Sequence, residues 1–197
     1  RSGRQRQMGI RDRIFEVESF DGSDTQQITV IVNGINDEPV LTIDNAGSVT
    51  EGDAVTLNDT GTLSFTDIDV SDNSHTVTFS YNNDAIWSDG ALTGQETALI
   101  NGFSLVGTTG WDYTVSSVDT DFLAVGETVV LSFDVTVDDL NGVTDTKAVT
   151  ITVNGVNDTP VITTATSDSV LEVEAEPGAT ATGNITFTDL DLTNDPE

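Results

Sequence analysis

The 197-residue chain contains no cysteine, which rules out both a disulfide framework and thiolate chemistry and leaves the redox compartment open. Histidine occurs once, at His75, so any Ser-His-Asp arrangement must use it. Its parity with Val77, Phe79 and Tyr81 places it at the core edge of a strand instead. No apolar run is long enough to cross a membrane, and the start lacks the apolar centre of a signal peptide. The expectation is a soluble segment cut from a longer protein, without direct membrane insertion.

Basic residues are the next scarcity. The formal net charge is −28, with 6 Lys and Arg against 34 Asp and Glu. Five of the six lie at Arg1, Arg4, Arg6, Arg11 and Arg13, so beyond residue 13 only Lys147 is basic. Nucleic acid and anionic membrane surfaces need positive charge to neutralise phosphate and are excluded as partners. Cations are the natural counterpart. The aperiodic, Arg-rich opening "RSGRQRQMGIRDR" reads as a non-native scar or linker, and residues 1–13 are set aside from the fold.

The remainder is rich in strand patterns. In "TVVLSFDVTVDD", Val129, Leu131, Phe133, Val135 and Val137 face one way while Ser132, Asp134 and Thr136 face the other. "AVTITVNG" continues with Val149, Ile151 and Val153, and "LNGVTD" closes the hairpin. "IFEVESF" and "TQQITVIVN", joined by "DGSD", have the same form. Further strands read near Val55, from Thr62, from His75, from Gly102 and from Trp111, and only "DTDFLAVGE" could hold a helical turn. Short strands separated by Gly, Asn and Asp, with no helices between them, predict an all-β, antiparallel β-sandwich.

The chain also repeats itself. "VNGINDEPV" from Val32 returns as "VNGVNDTPV" from Val153, a separation of about 120 residues that suits one small domain. "LSFTDIDVSD" at Leu63 returns as "ITFTDLDLTND" at Ile185, and "DTQQITVIVNG" returns as "DTKAVTITVNG". The expected organisation is the last hairpin of one repeat at 14–35, a complete repeat at 36–157, and the first strands of another at 158–197.

"FTDIDVSDNSHTVTF", "WDYTV", "FLAVGETVVLSFDVTVDD" and the closing "VNGVNDTPV" occur in an order that resembles a VCBS repeat. This is a cadherin-like module found in tandem in large bacterial surface proteins and RTX-type adhesins. The resemblance covers nearly all of the complete repeat and both flanking pieces. It implies an immunoglobulin/cadherin-like sandwich in tandem, an extracellular location, a part in cell adhesion or biofilm, and Ca²⁺ at the joints between repeats. The RTX nonapeptide, rich in Gly with a regular Asp, is absent from the chain.

Strand parity supplies an independent reason to expect a cation. Asp67 and Asp69 continue the core-facing parity of Leu63 and Phe65 past the strand end, so two carboxylates converge on one pole. In this topology Asp138 and Asp139 end the penultimate strand at that pole, where Asn36 and Asp37 arrive from the linker. Like charges this close repel unless a cation lies among them, and Ca²⁺ takes six to eight oxygen ligands. The candidate upper site is Asn36, Asp37, Asp67, Asp69 and Asp138 or Asp139. By the repeat, Asn157, Asp158, Asp189 and Asp191 form the equivalent joint below. From the cadherin-like pattern, Glu51 and Asp119 or Asp121 would join that lower site. No EF-hand is present, since Thr78 stands where its bidentate Glu would be. The bland alternative is that these acids are solvated turn formers.

Other chemistry is weaker. Chance carboxylate pairs are inevitable here, and no cleft-building insertion accompanies them. Trp87, Trp111 and Tyr113 could form a sugar platform, but Trp111 and Tyr113 share the parity of Val115 and read as core, whereas Trp87 in "NNDAIWSDG" reads as loop-borne. The expectation is a non-enzymatic, calcium-stiffened extender of a secreted adhesin, partnered by adjacent repeats of its own chain. The alternative is a carbohydrate- or partner-binding module on the same fold.

Overall fold

The structure is a computed structural model, and it describes residues 13–52, 55–69, 74–169, 180–191 and 193. The Arg-rich opening, apart from Arg13, lies outside the described residues, as do much of the chain between Ala165 and Ile185 and most of the C-terminal end. Thirteen strands are described, and they build one two-sheet sandwich flanked by two separate strand pairs.

The alternating segment becomes β10 (Thr128–Asp138), which pairs antiparallel with β11 (Thr144–Asn154) over eleven residues. Val129, Leu131, Phe133, Val135, Val137, Val149, Ile151 and Val153 are all fully buried, as the two-residue period requires. β6 (Thr76–Tyr81) and β7 (Ile86–Trp87) pair with the other edge of β10. On the far edge β4 (Ala46–Thr50) runs parallel to β11, from Ala46 opposite Thr150 to Thr50 opposite Asn154. That parallel pair departs from the antiparallel expectation. After β3 (Val40–Ile43) the chain crosses from one sheet to the other, and so enters the second sheet running down beside β11.

The opposite sheet has the order β3, β5 (Thr56–Thr66), β9 (Gly110–Ser116), β8 (Phe103–Val106). The segments read as two strands, near Val55 and from Thr62, are one strand. β5 pairs with β9 through Thr56 to Thr62 and with β3 through Leu63 to Thr66. Gly61 sits at the changeover because the Trp111 indole lies on it, and a Cβ there would fall 2.2 Å from the ring. Trp111 Nε1 donates to the Asp44 carbonyl at 2.7 Å, which ties that ring to the end of β3.

The helical expectation is corrected. The helix α1 (Glu96–Asn101) lies well before "DTDFLAVGE", which begins on the last residue of a 3-10 turn at Ser117–Asp119 and otherwise holds only turns and irregular chain. Two anchors hold this single helical turn and a half: Leu99 is fully buried, and its carbonyl accepts the Tyr113 hydroxyl at 3.0 Å. Burial pushes that phenol well above its ordinary pKa, so it stays a donor at all physiological pH.

Outside the sandwich, β1 (Arg13–Glu18) pairs with β2 (Thr25–Val30), and β12 (Val161–Ala165) pairs with β13 (Ile185–Thr188). Phe15 faces Ile28 in the first pair as Phe133 faces Val149 in the sandwich, and Ile162 faces Phe187 in the second as Leu41 faces Phe65. The sequence repeat therefore also repeats these cross-strand pairs, although β12 shifts register by one residue between Ile162 and Thr164 where β3 does not.

Candidate metal centre

Strand direction sorts the acids into two poles. β5 and β10 rise to the upper pole and deliver Asp67, Asp69 and Asp139, while β4, β9 and β11 descend to the lower pole and deliver Glu51, Asp121 and Asp158.

At the upper pole Asn36 Nδ2 donates to Asp139 Oδ2 at 2.5 Å, and the Asp37 amide donates to Asp69 Oδ2 at 2.7 Å. The Asp69 amide in turn donates to Asp67 Oδ1 at 2.8 Å, and His75 Nε2 lies 3.0 Å from Asp67 Oδ2. Asp139 is fully buried, and its Oδ1 gathers the amides of Asn141, Gly142 and Val143 in the β10–β11 turn. Of the two alternatives at the end of β10, Asp139 is the one joined to the linker. Asp138 is partly exposed and accepts the Leu140 amide within its own turn.

Donors dominate here. Hydrogen bonds from the Asp69 amide and then His75 hold Asp67 below its ordinary pKa. For Asp139 burial works upward, but hydrogen bonds from Asn36, Asn141, Val143 and Gly142 outweigh it and the net shift is down.

The lower pole is built from the same parts. The Asp158 amide donates to Asp191 Oδ2 at 3.1 Å and the Asp191 amide to Asp189 Oδ1 at 3.2 Å, repeating the Asp37, Asp69, Asp67 relay one repeat earlier. Asn157 Nδ2 donates to the Asp158 carbonyl at 2.5 Å. Glu51 is added from the end of β4. It is buried, its amide donates to the Asn154 carbonyl at 2.9 Å, and its Oε2 accepts the Val156 amide at 3.0 Å. Asp121 follows the 3-10 turn, which its amide caps by bonding the Ser117 carbonyl at 3.0 Å.

Glu51, Asp121 and Asp158 each bring one carboxylate oxygen to within 4.8 Å of the other two. Asp119, the alternative to Asp121, is outside this triad and lines a neighbouring groove with Val118, Phe122 and Leu190. The repeat phrase has a steric role at the same place. Gly155 lies against the carbonyls of Leu123 and Ala124, where a Cβ would come within 2.5 Å of both oxygens.

Electrostatically the lower pole is the reverse of the upper. Burial, set against the hydrogen bond from Val156 and reinforced by Asp158 and Asp121, pushes the Glu51 carboxyl up to about 7. Burial and then the charges of Asp121, Asp191 and Asp189 raise Asp158. Asp158 Oδ2 is buried without a hydrogen-bond partner. A solvated turn former would have neither feature.

The residues fit a hard divalent cation. The donor set is carboxylate oxygen, with no histidine or thiolate, which suits Ca²⁺ rather than Zn²⁺. Calcium–oxygen distances of about 2.4 Å place ligands on opposite sides of the ion roughly 4.8 Å apart, so three oxygens within 4.8 Å of one another are close enough to share one ion. Glu51, Asp121 and Asp158 would hold the ion, with Asp189 and Asp191 beside them. Its charge would favour the ionised forms of Glu51 and Asp158 against the burial and repulsion that raise them.

Trp87, the candidate sugar platform, is committed to packing. Its Nε1 donates to Glu127 Oε2 at 3.0 Å, its ring meets Phe122 edge-on at 5.3 Å, and Gly90 lies against its face. Trp111 and Tyr113 are core residues, as their parity indicated.

No protein-family model and no curated protein matches the sequence. Among solved structures the chain is similar to the extracellular cadherin domains 1–5 of protocadherin gamma B2, at 19% identity and a TM-score of 0.44, over 91% of this chain and 38% of that one. It is also similar to the Enterococcus faecalis MSCRAMM ACE, described as binding its ligands by the collagen hug model, at 10% identity and a TM-score of 0.23. That match covers 77% of this chain and 61% of the other. The chain thus spans 38% and 61% of the lengths of the two structures it matches.

Proposed function

We propose that the chain is a structural extender, a run of β-sandwich repeats whose joints are stiffened by Ca²⁺, within a secreted bacterial surface adhesin. The observation that carries this reading is the Glu51, Asp121 and Asp158 triad. Two of its members come from the sandwich, the third comes from the linker, and the linker acid is hydrogen-bonded to Asp191 of the next strand pair. An ion held there would couple sandwich, linker and following repeat. The VCBS-like motifs support the extracellular setting and the adhesion context.

The reading is non-enzymatic, and its partners are the neighbouring repeats of the same chain. The packing of Trp87 against Phe122 and Glu127 tells against a sugar platform at that residue. Extracellular modules bind Ca²⁺ in the range of roughly 10⁻⁴ to 10⁻³ M. At about ten times the dissociation constant each ion stabilises the native state by about 1.4 kcal/mol.

Thermal melts of the chain in millimolar Ca²⁺ and in chelator test this. A rise in melting temperature with Ca²⁺ that Asp158→Asn removes is the expected result, with the variant at least as stable as the parent in chelator because a raised, repelled charge is gone. An unchanged melt would sink the calcium reading.

A further inference from the structure

Glu127 is a buried acid that belongs neither to the triad nor to an ion pair among the described residues. Beyond residue 13 the only Lys or Arg is Lys147, which pairs with Asp145 at 3.4 Å, and Glu127 is held by neutral donors instead. From the sandwich, Trp87 Nε1 and the Ala124 amide donate to its Oε2 at 3.0 Å and 3.2 Å. From the far side of the linker, the Thr193 hydroxyl donates to its Oε1. One buried carboxyl group therefore holds donors from both sides of the joint, each side on its own oxygen.

The backbone beside Glu127 grips the linker as well. The Gly155 amide donates to the Glu127 carbonyl at 3.0 Å, and the next amide, of Val156, donates to Glu51 Oε2 at 3.0 Å. Past the linker, Asp191 and Thr193 lie two residues apart in one loop, the first accepting the Asp158 amide and the second donating to Glu127. A repeat tied only through its linker can swivel about it, whereas a tie that bypasses the linker removes that freedom. The place of Thr193 is part of the repeat: "FTDLDLTND" puts a hydroxyl two residues after Asp191, as "FTDIDVSDN" puts Ser71 two residues after Asp69. Leu190 of the same loop lines a groove with Phe122, whose ring meets Trp87 edge-on at 5.3 Å, so Trp87 stands behind both places where this loop faces the sandwich.

We propose that Glu127 is a latch for the following repeat, fixing its orientation on the sandwich through the Thr193 hydroxyl without any cation, with Trp87 as the positioning residue that holds the carboxyl group in place. A hydrogen bond is directional where the attraction of acids to an ion is not, so the latch sets the angle of the joint. Opening it strips Oε1 of its donor at a buried site, which favours the closed arrangement. The inference rests on reading the strands past the linker as the next repeat, and it is independent of the ion.

Spin-label distances across the joint of the full chain, taken in chelator, test it, so that failure here and failure of the calcium melts are separate results. Labels at Ala148→Cys on β11 and Thr164→Cys on β12 report the spread of angles between the two sides. Thr193→Val keeps the shape of the side chain and deletes its donor, and is expected to broaden the distance distribution. Thr193→Ser restores the hydroxyl and is expected to restore the parent width, which a merely steric role would not do. Trp87→Phe leaves Thr193 in place but frees Glu127 from the indole, and is expected to broaden the distribution as well, while its thermal melt reports that the sandwich remains folded. A parent chain as broad as Thr193→Val, or a Thr193→Ser chain as broad as Thr193→Val, overturns the latch. A Trp87→Phe chain with the parent width overturns the positioning role.

Discussion

Glu51 is a carboxyl that folding makes harder to ionise, and that fixes the sign of its effect on stability. With a folded pKa of about 7 against an ordinary 4.5, the native state keeps this proton over a window in which the unfolded chain has lost it. Native protein then binds more protons than unfolded protein, so stability falls as pH rises from about 4.5 through 7. Asp67 works in the opposite sense, because its lowered pKa stabilises the fold above its ordinary value and loses that contribution on acidification. In chelator, denaturation midpoints measured across this range should decline toward neutral pH. Glu51→Gln should flatten the decline, and Ca²⁺ should remove it in the parent chain by favouring the ionised form.

Trp87 is the other residue whose role changes with the structure. Trp87→Phe keeps the ring on Phe122 and Gly90 but leaves Glu127 Oε2 with the Ala124 amide, at 3.2 Å, and without the indole. Losing one of two donors to a buried acceptor costs about 0.5–1.5 kcal/mol, which urea denaturation would read directly.

Among the elements, β10 and β11 were the most legible, because every second residue is apolar and the turn between them is polar. Trp111, Tyr113 and Val115 were assigned to the core by the same parity, and all three are buried. β4 was not legible: "AGSVT" is short and carries a glycine, and it becomes a strand because β11 offers it a ladder edge. α1 escaped for a similar reason, since its position depends on Leu99 and on the distant Tyr113 hydroxyl. The convergence of acids could be read from strand parity and the repeat. That Asp121 rather than Asp119 completes the triad could not, because the choice depends on how the 3-10 turn leads out of β9.

The merging of two expected strands into β5 has its own test. Gly61→Ala places a methyl inside the van der Waals radius of the Trp111 indole, in a ring already tethered to Asp44. Overpacking of this kind costs about 1–3 kcal/mol. Gly61→Ala should lower the denaturation midpoint while leaving any calcium-dependent shift at the lower pole intact.

For the whole molecule, the proposed ion at the lower joint should narrow the range of angles between the sandwich and the strands that follow. The absence of cysteine makes the chain suitable for paired spin labels. With labels at Ala148→Cys on β11 and Thr164→Cys on β12, both solvent-facing, Ca²⁺ should narrow the distance distribution between them and chelator should broaden it. Equal widths in both conditions would show that the joint is indifferent to the ion.

The parallel pairing of β4 with β11 has a mechanical consequence. Tension along the molecule enters at the upper pole, passes down through β3 into β4, and leaves at the lower pole from the end of β11. The two strands run the same way but are pulled from opposite ends, so the ladder from Ala46 and Thr150 to Thr50 and Asn154 is loaded in shear. All its hydrogen bonds then share the force and must fail together, whereas a hairpin pulled from its open end peels one bond at a time. The Val156 amide on Glu51 fastens the lower end of the same pair at 3.0 Å, so the strand pair that bears the load ends at the acidic triad. In single-molecule stretching the sandwich should rupture in one abrupt step, at a force set by this short seam.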